Sequence, residues 1–264
     1  MYNRKMASIS IRLIVFFVGF SIVIVLVRSL NILPLVSLHH NIDSIPWLFS
    51  AVSIIFSIIS GFVIQSKWHT WDELIDATHG ELSSFRQLHI LSHHFPKKIQ
   101  EQIKEQICNY LSIMIEESKL NPDLDIRSER VEAAIYKLEE IVFAIDYSQH
   151  PNMGEMSFDL VRKCMDYREK RLQNISHKLP YGVKIFVMVA TVFMIFLSLF
   201  IGVESFLYYY LFTLIIALLS YGIYLLIDDL VHPYRPGQWH LKIDDYMVLL
   251  KEIQTDSIIR SLEH

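Results

Sequence analysis

Charge is absent from three long stretches of this chain, and those gaps define its main elements. Asp43 and Lys67 bracket 23 uncharged residues, Ser44 to Ser66. Lys184 and Glu204 bracket 19, and Glu204 and Asp228 another 23. A helix needs about 20 predominantly apolar residues to cross the hydrocarbon core of a bilayer, so each stretch predicts a membrane span. A further apolar stretch, Leu13 to Val27, lies between Arg12 and Arg28. Arginines at the ends of a span reach the headgroups with their long side chains, which predicts a span from about Ile9 to Leu30. Its basic start (Arg4, Lys5) also suits a secretory signal, but Val25 to Ser29 offers no small-x-small cleavage site. The pattern is read as four transmembrane helices.

Between the second and third spans the period changes to that of amphipathic helices. Asp72 and Glu73 place negative charge where a helix N-terminus favours it, and Leu74, Ala77, Leu82, Phe85, Leu88 and Leu91 follow at helical spacing. A second helix starts at Pro96, carries Ile99, Ile103, Ile107, Leu111 and Ile115 on one face, and stops at Asn121-Pro122. A third runs from about Ser128 to Tyr147, closed by His150-Pro151, and a fourth from Glu155 to about Leu179, stopped by Pro180. Beyond the fourth span Pro233, Pro236 and Gly237 force a turn. Tyr246, Leu249, Leu250 and Ile253 then line one face of a tail helix. No run alternates with period two and no repeat appears. The predicted fold is an all-α membrane protein with a helical cytoplasmic domain inserted between its second and third spans. The expected divisions are residues 1–66, 67–183, 184–228 and 229–264.

Basic residues set the expected orientation. Ser29 to Ser66 and the short turn around Gly202 to Ser205 contain no Lys or Arg, whereas Lys67 to Lys184 contains 16 and the tail after the fourth span four. Both termini and the middle block are therefore expected in the cytoplasm. Composition fits: 52% of residues are hydrophobic and 20% charged, with a net charge of −4 that gives no reason to expect nucleic acid as a partner. Two cysteines, Cys108 and Cys164, exclude a disulfide scaffold and a four-thiolate zinc site. Leu262-Glu263-His264 has the look of a cloning-site tag and carries no functional reading.

The order of features resembles the bacterial bestrophin-like membrane proteins, a domain family similar to the bestrophin ion channels, over about Ile45 to Leu250. Ile59-Ser60-Gly61-Phe62 leading into Ser66-Lys67-Trp68 looks like that family's Gly-Phe and the basic-aromatic exit of its second span. Asp76-Ala77 with Arg86, the pair Arg168 and Arg171 ahead of Pro180, and Asp229 with the corner Pro233 to Gly237 are the further landmarks. The corner is one residue longer than the family's.

The resemblance implies a homo-oligomeric ion channel of the bacterial inner membrane, a pentamer whose second span lines the pore, with no enzyme activity and no cofactor. Its partners would be further copies of itself, membrane lipid and permeating inorganic ions. The hydrophobic neck of bestrophins carries over to Ile54, Ile58 and Phe62, an apolar constriction that gates by dewetting. Beside this ladder, Ser50, Ser53, Ser57 and Ser60 repeat at helical spacing. They form either a pore stripe or a close-packing stripe, because small residues let membrane helices approach.

Several charges require partners. Asp228 and Asp229 follow the fourth span, where two carboxylates oppose the helix macrodipole and repel each other. A girdle of ion pairs with Arg12, Arg168 and Arg171 would satisfy them; solvated boundary acids or a pore-mouth cation site are the alternatives. Asp76 and Arg86 are ten residues apart, about 15 Å along a helix, so each is expected to pair elsewhere. His89, His93 and His94 match one histidine box of membrane di-iron enzymes, and His89 and His93 lie one turn apart, as metal ligands can. Those enzymes need about eight histidines in three boxes, and no second box is present; His39-His40 lies on the other side of the membrane, and His232 and His240 form none. Two other classes therefore stand beside the channel: a non-conducting scaffold or sensor that binds a partner through its cytoplasmic helices, and a histidine-box metal enzyme.

Overall fold

The computed structural model describes residues 7–29, 44–120, 128–145, 147–148, 151–176, 179–200, 205–231 and 243–262. These residues form eight α-helices and no strand: α1 (Ala7–Ser29), α2 (Ser44–Ser92), α3 (Lys97–Leu120), α4 (Glu129–Phe143), α5 (Pro151–Ser176), α6 (Tyr181–Ser198), α7 (Phe206–Val231) and α8 (Asp244–Leu262). Four of them (α1, the first part of α2, α6 and α7) are long and apolar enough to cross a membrane. The Pro233 to Gly237 corner, His39-His40, His232, His240 and the end of the chain at Glu263-His264 lie outside the described residues.

One expectation is corrected. The spacing predicts a span ending near Ser66 and a new helix opening at Asp72-Glu73, but α2 runs without interruption for 49 residues, about 74 Å at 1.5 Å per residue. Ser66 to Thr70 contains neither proline nor glycine, so nothing there breaks the helix. Lys67 ends the charge-free run without ending the helix. The helix stops where the last turn tightens, with His93, His94 and Phe95 N–H donating to the carbonyls three residues back and Pro96 following. The carbonyl of Pro96 then accepts from Ile99 and Gln100 to open α3. Pro151, expected as a terminator, is instead the first residue of α5, a position where its missing N–H costs nothing.

The chain divides into two compact units, one of residues 1–69 and 178–240, the other of residues 70–177 and 241–264. In the first, α7 packs on both α1 and α6. Phe20 and Ile24 of α1 bury against Tyr209, Leu214 and Ala217 of α7, and Val63 of α2 meets Val187 of α6 and Ile227 of α7. The C-terminal carbonyls of α6 lack intrahelical donors. Thr213 Oγ1 donates to the Ser198 carbonyl (3.1 Å) and Tyr209 Oη to the Leu199 carbonyl (3.1 Å).

In the second unit each long helix presents a seam at alternating steps of four and three residues, the spacing of coiled-coil contact positions. On α2 it is Leu74, Thr78, Glu81, Phe85, Leu88 and Ser92; on α5 it is Ser157, Val161, Cys164, Arg168, Arg171 and Ile175, all buried. Tyr246, Leu249 and Ile253 of α8 are buried too, on the face the sequence pattern predicts. Two glycines are required by close approach: a Cβ at Gly80 would lie 2.5 Å from the Tyr167 ring, and one at Gly154 would lie 2.7 Å from the Tyr147 ring.

Candidate functional site

The membrane part of α2 has two unlike faces. Phe56, Ser60, Val63 and Lys67 are buried within the first unit. On the opposite face the ladder Ile54, Ile58 and Phe62, at steps of four residues, is uncovered, at 61%, 53% and 73% exposure. With Ser50, Ser57, Gly61 and Gln65, also exposed, these residues occupy an arc of about 140° at 100° per residue. The serines divide along the edge of that arc. Ser50 and Ser57 lie on the open side and Ser60 is buried. Ser53 is half-buried, with its hydroxyl on the Phe49 carbonyl (2.7 Å) and 3.7 Å from Met194 Sδ of α6. A hydroxyl that bonds the carbonyl four residues back is satisfied without water.

The charges singled out in the sequence fall into separate places. Asp228 pairs with Lys184 of α6 at 3.5 Å, a partner the sequence reading did not name, and Asp229 is half-buried one residue on. Asp76 is exposed on α2. Arg86 makes a forked pair with Glu252 of α8, Nε to Oε1 at 3.0 Å and Nη2 to Oε2 at 2.8 Å; this hydrogen bond, ahead of the Coulomb attraction, raises the Arg86 pKa. About two turns back along α2, His79 lies 3.8 Å from Asp245 of α8. Arg12 is exposed on α1.

Arg171 enters a buried cluster centred on an acid that the sequence reading passed over. Glu81 is fully buried; its Oε2 accepts from Arg171 Nε at 2.8 Å and from Tyr246 Oη at 3.4 Å. Tyr110 Oη donates to Glu81 Oε1. Four helices, α2, α3, α5 and α8, thus meet on one carboxylate. Arg171 Nη2 lies 4.0 Å from Met114 Sδ, and Cys164 Sγ lies 4.0 Å from the Glu81 carbonyl. Burial pushes the Tyr110 hydroxyl well above its ordinary pKa, and the Glu81 charge adds to the push. Cys164 is shifted the same way, first by burial and then by Glu81. Both therefore stay protonated at neutral pH, beside the fully buried Arg171–Glu81 pair.

The signal for Glu81 was in the sequence: it stands seven residues after Leu74 and seven before Leu88, an acid inside an apolar seam. Arg168, three residues before Arg171 on the seam of α5, is also buried. Its Nη1 is 3.9 Å from Glu132 of α4, while Nε and Nη2 make no hydrogen bond among the described residues.

His89 and His93 stand one turn apart with ring centroids 4.7 Å apart, edge to face. Among the described residues no group of three or more His, Cys, Asp or Glu is arranged to hold a metal ion. His89 is buried next to Leu88, near the end of the α2 seam, so packing accounts for its position.

The family with the Bestrophin-like domain matches residues 14–236. This chain belongs to that family. The match runs from α1 through α7 and takes in both the uncovered arc and the Glu81 cluster. Solved structures share the fold of this Bestrophin-like chain at low sequence identity. A bacterial bestrophin homolog from Klebsiella pneumoniae, solved by Zn-SAD phasing, superposes with a TM-score of 0.70 at 11% identity, over 93% of this chain and 97% of that one. A mutant of the Klebsiella pneumoniae homolog gives a TM-score of 0.71 at 12% identity, over 92% and 97% of the two chains. A further crystal structure, of a membrane protein, gives 0.72 at 11% identity, over 93% and 97%. No curated protein matches in sequence.

Proposed function

We propose that this Bestrophin-like protein is an oligomeric ion channel of the bacterial inner membrane, a ring of copies in which α2 lines a shared axial pore. The observation that carries this reading is the uncovered arc of α2. A helix packed on one side against its own chain keeps a three-residue apolar ladder open on the other, and copies arranged about one axis would turn that ladder inward. Ile54, Ile58 and Phe62 would then form a narrow apolar neck that holds back ions until it widens and wets. Ser50 and Ser57 flank the ladder with hydroxyls, and Gly61, beside which a Cβ would meet nothing within 4 Å, leaves room at Phe62. The same side chains facing lipid or a neighbouring helix would be unremarkable in a membrane protein, so the arrangement of copies decides between the readings.

In this reading the second unit is cytoplasmic, inserted between the second and third spans, with both termini on the same side. Its helices form a vestibule through which ions leave, and the protein has no enzymatic step. The bestrophin homologs that share the fold support the assignment by likeness of architecture, and a pentamer is the assembly it implies.

The test joins assembly to conduction. Purified protein in gentle detergent is expected to form a ring of a single size and to pass ions when reconstituted in liposomes. Ile58→Ala and Phe62→Ala are expected to change the conductance. A monomer or dimer without flux would reject the channel in favour of a scaffold, and unchanged currents in both variants would move the neck elsewhere.

A further inference from the structure

Helices α1 and α7 leave an apolar groove of about 500 Å³ along their seam, lined by Ser21, Ile22, Val25 and Leu26 of α1 and by Phe206 and Tyr210 of α7. Its one polar feature is closed on itself: Ser21 Oγ and Tyr210 Oη are hydrogen-bonded at 2.9 Å, and Ser21 Oγ also donates to the Phe17 carbonyl at 2.7 Å. The lining therefore offers hydrocarbon contact and no unmet hydrogen bond. Arg28 stands in the last turn of α1, three residues beyond Val25 and seven beyond Ser21. Those spacings put all three on one stripe of the helix. The Arg28 guanidinium carbon lies 5.8 Å from the centre of the Tyr209 ring, and Phe206 and Tyr208, in the same first turn of α7, are exposed. An arginine held over an aromatic ring at the end of a span, among aromatic residues, is at the depth of phosphate headgroups.

We infer that this groove is a binding site for an anionic phospholipid, with the acyl chain along Ser21 to Leu26 and the phosphate on Arg28. The inference rests on α1 and α7 spanning the bilayer, as the proposed function requires, but not on conduction. Charge complementarity selects the occupant. A groove with an apolar floor, and a basic residue one turn beyond its lining residue Val25 on the same helix, matches a molecule with an anionic head and a hydrocarbon tail. A guanidinium binds phosphate oxygens in a fork that a zwitterionic headgroup partly cancels with its own cation.

Non-denaturing mass spectrometry of the full chain in detergent, with phosphatidylglycerol or phosphatidylcholine of equal chain length added, reads the site directly. The wild type is expected to retain phosphatidylglycerol in preference. Arg28→Ala should lower that retention about tenfold, the loss of one charge-assisted contact, and Arg28→Lys should restore much of it. Ile22→Trp, which fills the groove and leaves Arg28 in place, should lower retention of both lipids. Equal retention of the two lipids by the wild type, or a preference that survives Arg28→Ala, would overturn the inference. So would a Val25→Cys variant that forms a disulfide between copies in native membranes, because a second copy would then occupy the groove. Ion flux in liposomes, measured on the same variants, keeps the two readings apart: lipid preference without flux rejects the channel and leaves the lipid site.

Discussion

The two units of this chain bury polar groups in opposite ways. In the first, the buried polar side chains are chiefly small hydroxyls: Ser60, Thr191, Ser198, Thr213 and Ser220. Thr191 and Ser198 donate to carbonyls of their own helix at 2.8 and 2.7 Å. Large apolar residues cover the outside of its helices, among them Ile14, Val18 and Ile22 of α1 and Val189, Val192 and Phe196 of α6. In the second, the seams carry full charges, with Glu81 and Arg171 wholly buried and Arg168 nearly so. The contrast is the one expected if, as proposed, the first unit lies in lipid and the second in water. Between membrane helices apolar surface drives nothing, so close approach and self-satisfied hydroxyls make the contact. In water an apolar seam drives assembly by itself, and a polar group placed in it at a cost specifies which helices meet and in what register.

The largest expected effect tests that register directly. Glu81→Ala leaves Arg171 buried without its carboxylate, which should cost about 3–5 kcal/mol and lower the thermal midpoint of the second unit. The double variant Glu81→Leu with Arg171→Met should recover much of the loss, because an apolar pair of similar volume is often as stable as a buried ion pair. If Glu81→Ala melts like the wild type, the cluster does not organise the helices. Next, Gly80→Ala forces a methyl group against the Tyr167 ring and should cost about 1–3 kcal/mol; an unchanged midpoint would mean that α5 gives way freely.

A pH series sharpens the same comparison. The folded Tyr110 hydroxyl has its pKa raised above the ordinary value, so the folded chain holds a proton that the unfolded chain releases. The stability it contributes is complete below about pH 10 and declines as pH rises toward the folded value. Denaturant unfolding should therefore weaken above that pH in the wild type and less so in Tyr110→Phe. An equal decline in both would clear Tyr110 of the effect. The smallest change is expected at the half-exposed pairs. Lys184→Ala in the first unit and Arg86→Ala in the second should each cost no more than about 1 kcal/mol. A larger loss at Lys184 would show that the Asp228 pair is screened from water.

Much of this fold was legible in residue order. The charge-free runs marked the four helices long and apolar enough to cross a membrane, because such a segment carries its signal locally. The stripe of Tyr246, Leu249 and Ile253 likewise marked the buried face of α8. Helix joins were less legible. The charges at Lys67, Asp72 and Glu73 suggested a break, yet a backbone without proline or glycine continues through a change from apolar to charged sequence. Pro151 was read as a stop and serves as a start, since the missing N–H is harmless in a first turn.

The candidate site divides the same way. The ladder Ile54, Ile58 and Phe62 and the arginines of α5 stood out, but Glu81 did not, because its chemistry depends on residues 29, 90 and 165 positions away. Nor could the serine repeat reveal which members face outward, since only the packing of α6 and α7 divides them. Composition and period by themselves determined that the chain is helical and which of its segments are long and apolar enough to suit lipid. Tertiary structure alone decided which carboxylate each arginine meets and which arc of α2 stays open, because burial and charge pairing are settled between helices, where spacing along one chain carries no distance.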